Sequence, residues 1–163
     1  MSIKSSQILV QEALKEIKTI NVDEAFDLVN TDNCNLIDIR DIRELERDGR
    51  VKNSLHIPRG MLEFWMDPSS PYYKQGKIDP SKETILFCAA GLRSALATKT
   101  LQDMGFKNVS HIDGGFSTIK ASDFEIIKLP HQLHNLICLA PKKFYYYKKK
   151  SEHQKFFWRK LHR

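Results

Sequence analysis

Thr84-Ile85-Leu86-Phe87-Cys88-Ala89-Ala90-Gly91-Leu92-Arg93-Ser94 runs from an apolar, β-branched and aromatic stretch, through three small residues, into a helix-like segment that continues to Met104. That is a strand, a tight loop and a helix, with a cysteine where the strand ends and an arginine in the first helical turn. In an open parallel sheet the reactive crevice lies beyond the carboxyl ends of the strands, and Cys88 stands at such an end. Ala89, Ala90 and Gly91 place no bulk in the loop, so successive main-chain N–H groups can turn inward. Such a nest, joined to a helix N-terminus, favours negative charge. A thiolate is stabilised there and is the better nucleophile at neutral pH. Arg93 adds a fixed positive charge that can grip an anion with two donors. A cysteine after an apolar strand is most often a small buried hydrophobe, but such a residue has no need of a small-residue loop with an arginine behind it.

Outward from this stretch, short strands and helices alternate. Strands are expected at 35–39, 54–57 and 108–112. Helices are expected at 5–18 (amphipathic), after the N-cap Asn21 with Glu24 three residues on, at 41–48 before Gly49, as a turn at 60–65, and at 116–120 after the sharp turn Asp113-Gly114-Gly115. Residues 67–80, rich in Pro, Ser, Asp and Tyr, read as an irregular excursion. Alternation of this kind predicts an α/β domain whose parallel sheet is covered on both faces. Residues 1–19 are expected to form an amphipathic helix packing on the domain, 20–128 the domain itself, and 129–163 a tail.

The whole chain of 163 residues carries a net charge of +6, which suggests a nucleic-acid binder until it is divided. Residues 1–128 hold 17 Lys and Arg against 19 Asp and Glu, and residues 129–163 hold 9 against 1. The positive charge therefore belongs to the tail, where Tyr145-Tyr146-Tyr147 precedes Lys148-Lys149-Lys150 and Phe156-Phe157-Trp158 precedes Arg159-Lys160. Basic residues among aromatics can bind nucleic acid or an anionic membrane surface; a solvated extension is the commoner use. The expectation is no membrane partner, and nucleic acid only through the tail. Met1-Ser2-Ile3-Lys4 opens no signal-peptide pattern and no apolar run reaches membrane-spanning length, so a cytoplasmic address is expected. Cys34, Cys88 and Cys138 make no C-x-x-C pair or zinc cluster and read as free thiols.

Cys88-x-x-Gly91-x-Arg93-Ser94 resembles the active-site loop of single-domain rhodanese-like proteins. Leu36-Ile37-Asp38-Ile39-Arg40 with Glu44, Gly49 and His56-Ile57-Pro58 is similar to that family's first signature. Gly105-Phe106-x-Asn108-Val109 and Asp113-Gly114-Gly115-Phe116 are similar to the segment after its active helix. The resemblance implies a three-layer α/β fold with a central, mostly parallel sheet between helices. It also implies sulfane-sulfur transfer from thiosulfate or a polysulfide through a Cys88 persulfide to a thiol or protein acceptor, with no metal or organic cofactor. Ala89, Ala90, Gly91, Leu92, Arg93 and Ser94 would form the anion-holding loop. From Cys88 through Arg93 the loop has six residues, the size associated with sulfurtransferases; the related phosphatases and arsenate reductases carry one more. Phosphatase-like chemistry and a non-catalytic binding module acting through the tail are the alternatives.

Other candidates are weighed less heavily. Asp38 and Arg40 are expected to be loop-holding partners, or an acid tuning the thiolate. Arg59 could hold an anionic donor or be an ordinary surface arginine. Trp65, with Tyr72 and Tyr73, could wall the pocket or simply pack. His56 and His111 read as satisfied strand histidines, and Cys34 as a turn residue with no reason to reach Cys88. Ile119 stands where the family usually has tryptophan.

Overall fold

In the computed structural model, which describes residues 3–73 and 76–128, most elements follow from local chemistry, the short strands at 18–20, 50–51 and 126–127 being the exceptions. Ser5 caps α1 (Ser6–Leu14) by accepting from the Ile8 N–H. The helix expected through Lys18 stops there, because Lys18–Ile20 is strand β1, paired in parallel with 110–112. The run Ile17-Lys18-Thr19-Ile20 has β-branched residues at three of its four places, and pairing at a sheet edge overrides its helical spacing. Asn21 caps α2 (Val22–Asn30), accepting from the Glu24 N–H at 2.8 Å. β2 (Cys34–Asp38) follows, and α3 (Ile42–Asp48) opens with a capping box between Asp41 and Glu44 and closes at Gly49.

Next come β3 (Arg50–Val51), β4 (Leu55–His56), a 3-10 turn (Arg59–Met61) and α4 (Leu62–Met66). After the irregular segment lie β5 (Glu83–Phe87), α5 (Leu92–Asp103), β6 (Val109–Ile112), α6 (Phe116–Ile119) and β7 (Ile126–Ile127). Five strands form one parallel sheet in the order β1-β6-β5-β2-β4, and β3 and β7 make a separate antiparallel ribbon.

Alternate residues of the central strands feed two cores. Leu36, Ile85, Phe87 and Ile112 pack with Ala25, Phe116 and Ile119 on one face. Ile37, Leu86 and Cys88 pack with Leu62, Ala97 and Leu101 on the other. Helices α2 and α6 thus cover one side, α4 and α5 the other, which makes a three-layer α/β domain. Ile119, in the tryptophan position, is fully buried in the first core. α1 packs outside α5, its Val10 together with Ile17, beyond its end, against Ala95 and Leu96. The described residues belong to one compact unit. Among them, no helix is long and apolar enough to cross a membrane. Residues 129–163, with Cys138 and the whole basic tail, lie outside the described residues.

Because the sheet is parallel, the loops after β2, β5 and β6 gather at one end. The candidate site is built there.

Candidate active site

Cys88 follows β5 directly and is only 1% exposed, so its sulfur is enclosed by the loop. Gly91 sits at φ +86, a left-handed conformation that suits glycine, and starts α5 without any side-chain cap. No group among the described residues accepts from the main-chain N–H of Ala89, Ala90, Gly91 or Leu92. These donors, at the head of a twelve-residue helix, are available to an anion. The Ser94 hydroxyl lies 3.6 Å from the Cys88 sulfur and 3.0 Å from the Gly91 carbonyl oxygen.

The loop is braced from behind by the turn after β6. Phe116 N–H donates to the Cys88 carbonyl at 2.7 Å, and Ser117 donates to the Ala89 carbonyl through its N–H at 3.1 Å and its hydroxyl at 3.0 Å. The approach is backbone to backbone. A Cβ on Gly115 would lie 2.4 Å from the Cys88 oxygen, and one on Gly91 would lie 3.3 Å from the Gly114 nitrogen. The Gly114-Gly115 pair therefore fixes the shape of a loop more than 20 residues away in sequence.

Arg93 is held in place by a carboxylate and also faces the Cys88 sulfur. Both of its terminal nitrogens bind Glu44, Nη1 to Oε2 at 2.7 Å and Nη2 to Oε1 at 2.8 Å. Two of its five N–H donors thus hold a carboxylate from α3, 49 residues away. The Arg93 hydrogen bonds hold Glu44 below the usual carboxylate range, against the opposing effect of burial. Glu44 also accepts from the Asp41 N–H at 3.0 Å, so the capping box of α3 and the active loop share one side chain.

Asp38 and Arg40 do not line a pocket. They are 0% and 1% exposed and bind each other, Arg40 Nη2 to Asp38 Oδ2 at 2.7 Å, with a further bond from Nη2 to the Gly49 carbonyl at 2.9 Å. The guanidinium lies 3.7 Å from the Phe116 ring centre, a cation–π stack beside Nη1, which has no hydrogen-bond partner among the described residues. The pair sits beneath the loop, underneath the residue whose N–H holds the Cys88 carbonyl. Arg59 pairs with Glu63 and reaches Thr100 at 3.4 Å, so it lies along the flank of α5 and not at its head. Trp65 packs, partly buried, against the core of the α5 face. Tyr72 is exposed and meets Phe64 edge-on. Tyr73 lines a cavity of about 290 Å³ together with Thr84, Phe106 and Asn108, at the amino ends of β5 and β6, the far end from Cys88.

Cys34 begins β2 opposite Glu83, so the length of a strand separates it from Cys88. Burial, reinforced by Glu83 and Asp32, pushes its thiol up to about 11. Among the described residues, no three His, Cys, Asp or Glu side chains gather as metal ligands would.

His111, a strand histidine with no marked role in the sequence, lies close to the site. It is 1% exposed, with Nδ1 3.4 Å from the Ser94 oxygen and Nε2 3.0 Å from the Thr19 oxygen. It pairs in register with Leu86, two residues before Cys88 on the same face of the sheet. The period-2 alternation of β5 and β6 carries that signal, but only once their neighbouring register is known.

A family model described as rhodanese-like domain matches residues 21–122. Thiosulfate sulfurtransferase GlpE of Coxiella burnetii is 30% identical over 104 residues, 64% of this chain and 88% of that protein. A protein of unknown function from Rhodopseudomonas palustris, described as a possible tyrosine phosphatase, is 42% identical, with TM-score 0.72 over 78% of this chain and 98% of its own. A polysulfide-sulfur transferase homodimer from Wolinella succinogenes is 30% identical, with TM-score 0.60 over 78% of this chain and 90% of its own. Two relatives, from Arabidopsis thaliana and Mus musculus, are spanned over 58% and 66% of their length.

Proposed function

The chain belongs to the rhodanese-like family, and from that premise we propose that it moves a sulfane sulfur through a persulfide on Cys88. The Cys88 thiolate attacks the outer sulfur of a polysulfide or of thiosulfate. The S–S bond of the donor breaks, its electron pair leaves with the shortened polysulfide or sulfite, and Cys88 keeps one sulfur as –S–S⁻. A thiol or protein acceptor then attacks that outer sulfur, and Cys88 departs as thiolate. The observation that carries this reading is the enclosed Cys88 in a six-residue loop whose N–H groups have no acceptor among the described residues. The kinship with GlpE and with the Wolinella transferase supports thiosulfate and polysulfide as the donor classes.

The description of the Rhodopseudomonas protein raises phosphatase chemistry. Against it stands the length of the loop, six residues from Cys88 through Arg93, one fewer than in the related phosphatases.

Intact-mass measurement after incubation with thiosulfate or polysulfide tests the reading. The expected result is a gain of about 32 Da, one sulfur atom on a thiolate, removed by cyanide and absent from Cys88→Ser. An adduct that survives in Cys88→Ser overturns the assignment of the nucleophile. Turnover of an aryl phosphate without any sulfur uptake replaces it with the phosphatase reading.

A further inference from the structure

We propose that His111 is a positioning residue for Cys88: held as its Nδ1–H tautomer by Thr19, it donates to the Ser94 hydroxyl, which passes its single proton toward the Cys88 sulfur. This rests on Cys88 as the reacting sulfur and adds the residues that aim a donor at it.

The Ser94 oxygen has one proton and three neighbours, the Cys88 sulfur at 3.6 Å, the Gly91 carbonyl at 3.0 Å and His111 Nδ1 at 3.4 Å. A hydroxyl donates once and accepts twice. With its proton on Nε2, His111 would present a bare Nδ1, and three acceptors would compete for one proton. With the proton on Nδ1, the imidazole donates into the serine oxygen and the hydroxyl proton is left for the sulfur or the Gly91 carbonyl. Between those two a sulfur anion wins, because a charged acceptor makes the stronger bond.

The other end of the ring agrees. Nε2 must then accept, and the Thr19 hydroxyl at 3.0 Å can donate to it. Burial pushes the His111 imidazole below its ordinary range, with the Asp113 carboxylate pulling weakly the other way, so the ring is neutral and its tautomer is set by these partners. Of the other charges around the site, Arg40 pairs with Asp38 at the end of β2, and Arg93 pairs with Glu44 from α3 while also facing the Cys88 sulfur. The row Cys88, Ser94, His111, Thr19 runs from the loop after β5 through α5 and β6 to the edge strand β1.

Two measurements test it. Nitrogen-15 NMR of the His111 ring in the intact chain reads the tautomer directly: a proton on Nδ1 and a bare Nε2 are expected, and a proton on Nε2 overturns the proposal. Thr19→Val, at an exposed position where folding is not at risk, should give a mixture of tautomers; a pure Nδ1–H form there removes Thr19 from the row. The second measurement is the rate of Cys88 alkylation by iodoacetamide at pH 7, followed by peptide mass. His111→Leu and Ser94→Ala should each slow it about tenfold, the scale of one hydrogen bond to a charged group. The double variant should be no slower than either single one, and His111→Asn, whose amide can donate from the Nδ1 position, should recover most of the rate. A His111→Leu effect that persists undiminished in the Ser94→Ala background, or a His111→Asn variant as slow as His111→Leu, overturns it. Alkylation needs no sulfur donor, so a protein that takes up no sulfur sinks the transferase reading and leaves this result standing. Normal sulfur uptake with an Nε2–H ring does the reverse.

Discussion

Gly115→Ala tests whether the turn after β6 holds the active loop. Gly115 has φ 57 and ψ −138, a region that side chains of L-residues avoid at a cost of about 1–3 kcal/mol. A Cβ there would also stand 2.4 Å from the Cys88 carbonyl oxygen and 2.9 Å from the Gly91 nitrogen, both of them main chain. Since Cβ contacts under 3.0 Å are essentially never seen, the Cys88 contact must open by at least 0.6 Å, the difference between 3.0 and 2.4 Å. The 2.7 Å bond from Phe116 N–H to the same carbonyl lengthens with it, at a cost of about 1 kcal/mol. The expected stability loss is therefore about 2–4 kcal/mol, the sum of these two contributions. Reacting groups tolerate about 0.5 Å of misplacement, and a displacement of about 1 Å costs roughly a hundredfold. Sulfur uptake by Cys88 should then slow about 10- to 100-fold at a temperature where the variant is folded. Gly105→Ala is the control: Gly105 also has a positive φ, +100, but no heavy atom lies within 4 Å of the place its new methyl would take. It should lose stability through backbone strain alone and keep the wild-type rate. Urea unfolding gives the stabilities, and single-turnover mass measurement gives the rates. A Gly115→Ala variant that takes up sulfur as fast as Gly105→Ala would refute the bracing role.

Two further substitutions probe the ion pairs. Asp38→Asn leaves the buried Arg40 guanidinium without its counter-charge and should cost about 3–5 kcal/mol in urea unfolding; a loss under about 1 kcal/mol would mean that Gly49 and Phe116 alone suffice. Glu44→Gln tests the Arg93 pair, in which the arginine side chain is 43% exposed and the glutamate 17%, so its contribution is discounted to about 1 kcal/mol or less. Because Arg93 depresses the Glu44 pKa, that stabilisation is present above the ordinary carboxyl value of 4.5 and is lost as pH falls through the lower folded value. The deficit of Glu44→Gln should accordingly be full at pH 7 and shrink in acid, and an equal deficit at both would contradict the linkage.

The elements that sequence makes legible are those whose cause is local. Cys88 at a strand end, small residues after it and Gly91 before a helix are consecutive in the chain, and the loop is found where they predict it. Asn21, Asp41 and Gly49 likewise cap or close their helices by contacts within a few residues. What escapes is settled by partners far away. Residues 18–20 read as the end of a helix because nothing nearby reveals that 110–112 offers them a sheet edge. The ribbon of β3 and β7 has two residues on each side, too few for any periodic pattern to emerge. Arg93 stands in the first helical turn, as its neighbours in the chain predict, but its partner Glu44 belongs to another helix, and no local pattern shows that pairing. The same distance effect hides His111, whose importance depends on which strand lies beside β5.

The distribution of charge at this end of the sheet bears on which anion the loop can hold. Arg93 is paired with Glu44 and Arg40 with Asp38, and the Arg93 guanidinium, its charge shared with that carboxylate, also faces the Cys88 sulfur. Beside them is the head of α5 with its unaccepted N–H groups, worth about half an elementary charge. A persulfide carries the same single negative charge as the thiolate it replaces, spread one atom further out, so a site that suits one suits the other without any rearrangement. A phosphorylated cysteine would add roughly one more negative charge and three acceptor oxygens. Arg93 has N–H donors besides the two that hold Glu44, but its single positive charge is already shared with that carboxylate. On this account the positive field at the loop matches a single sulfur anion better than a tetrahedral dianion, since Arg93 shares its one charge with Glu44 in either case.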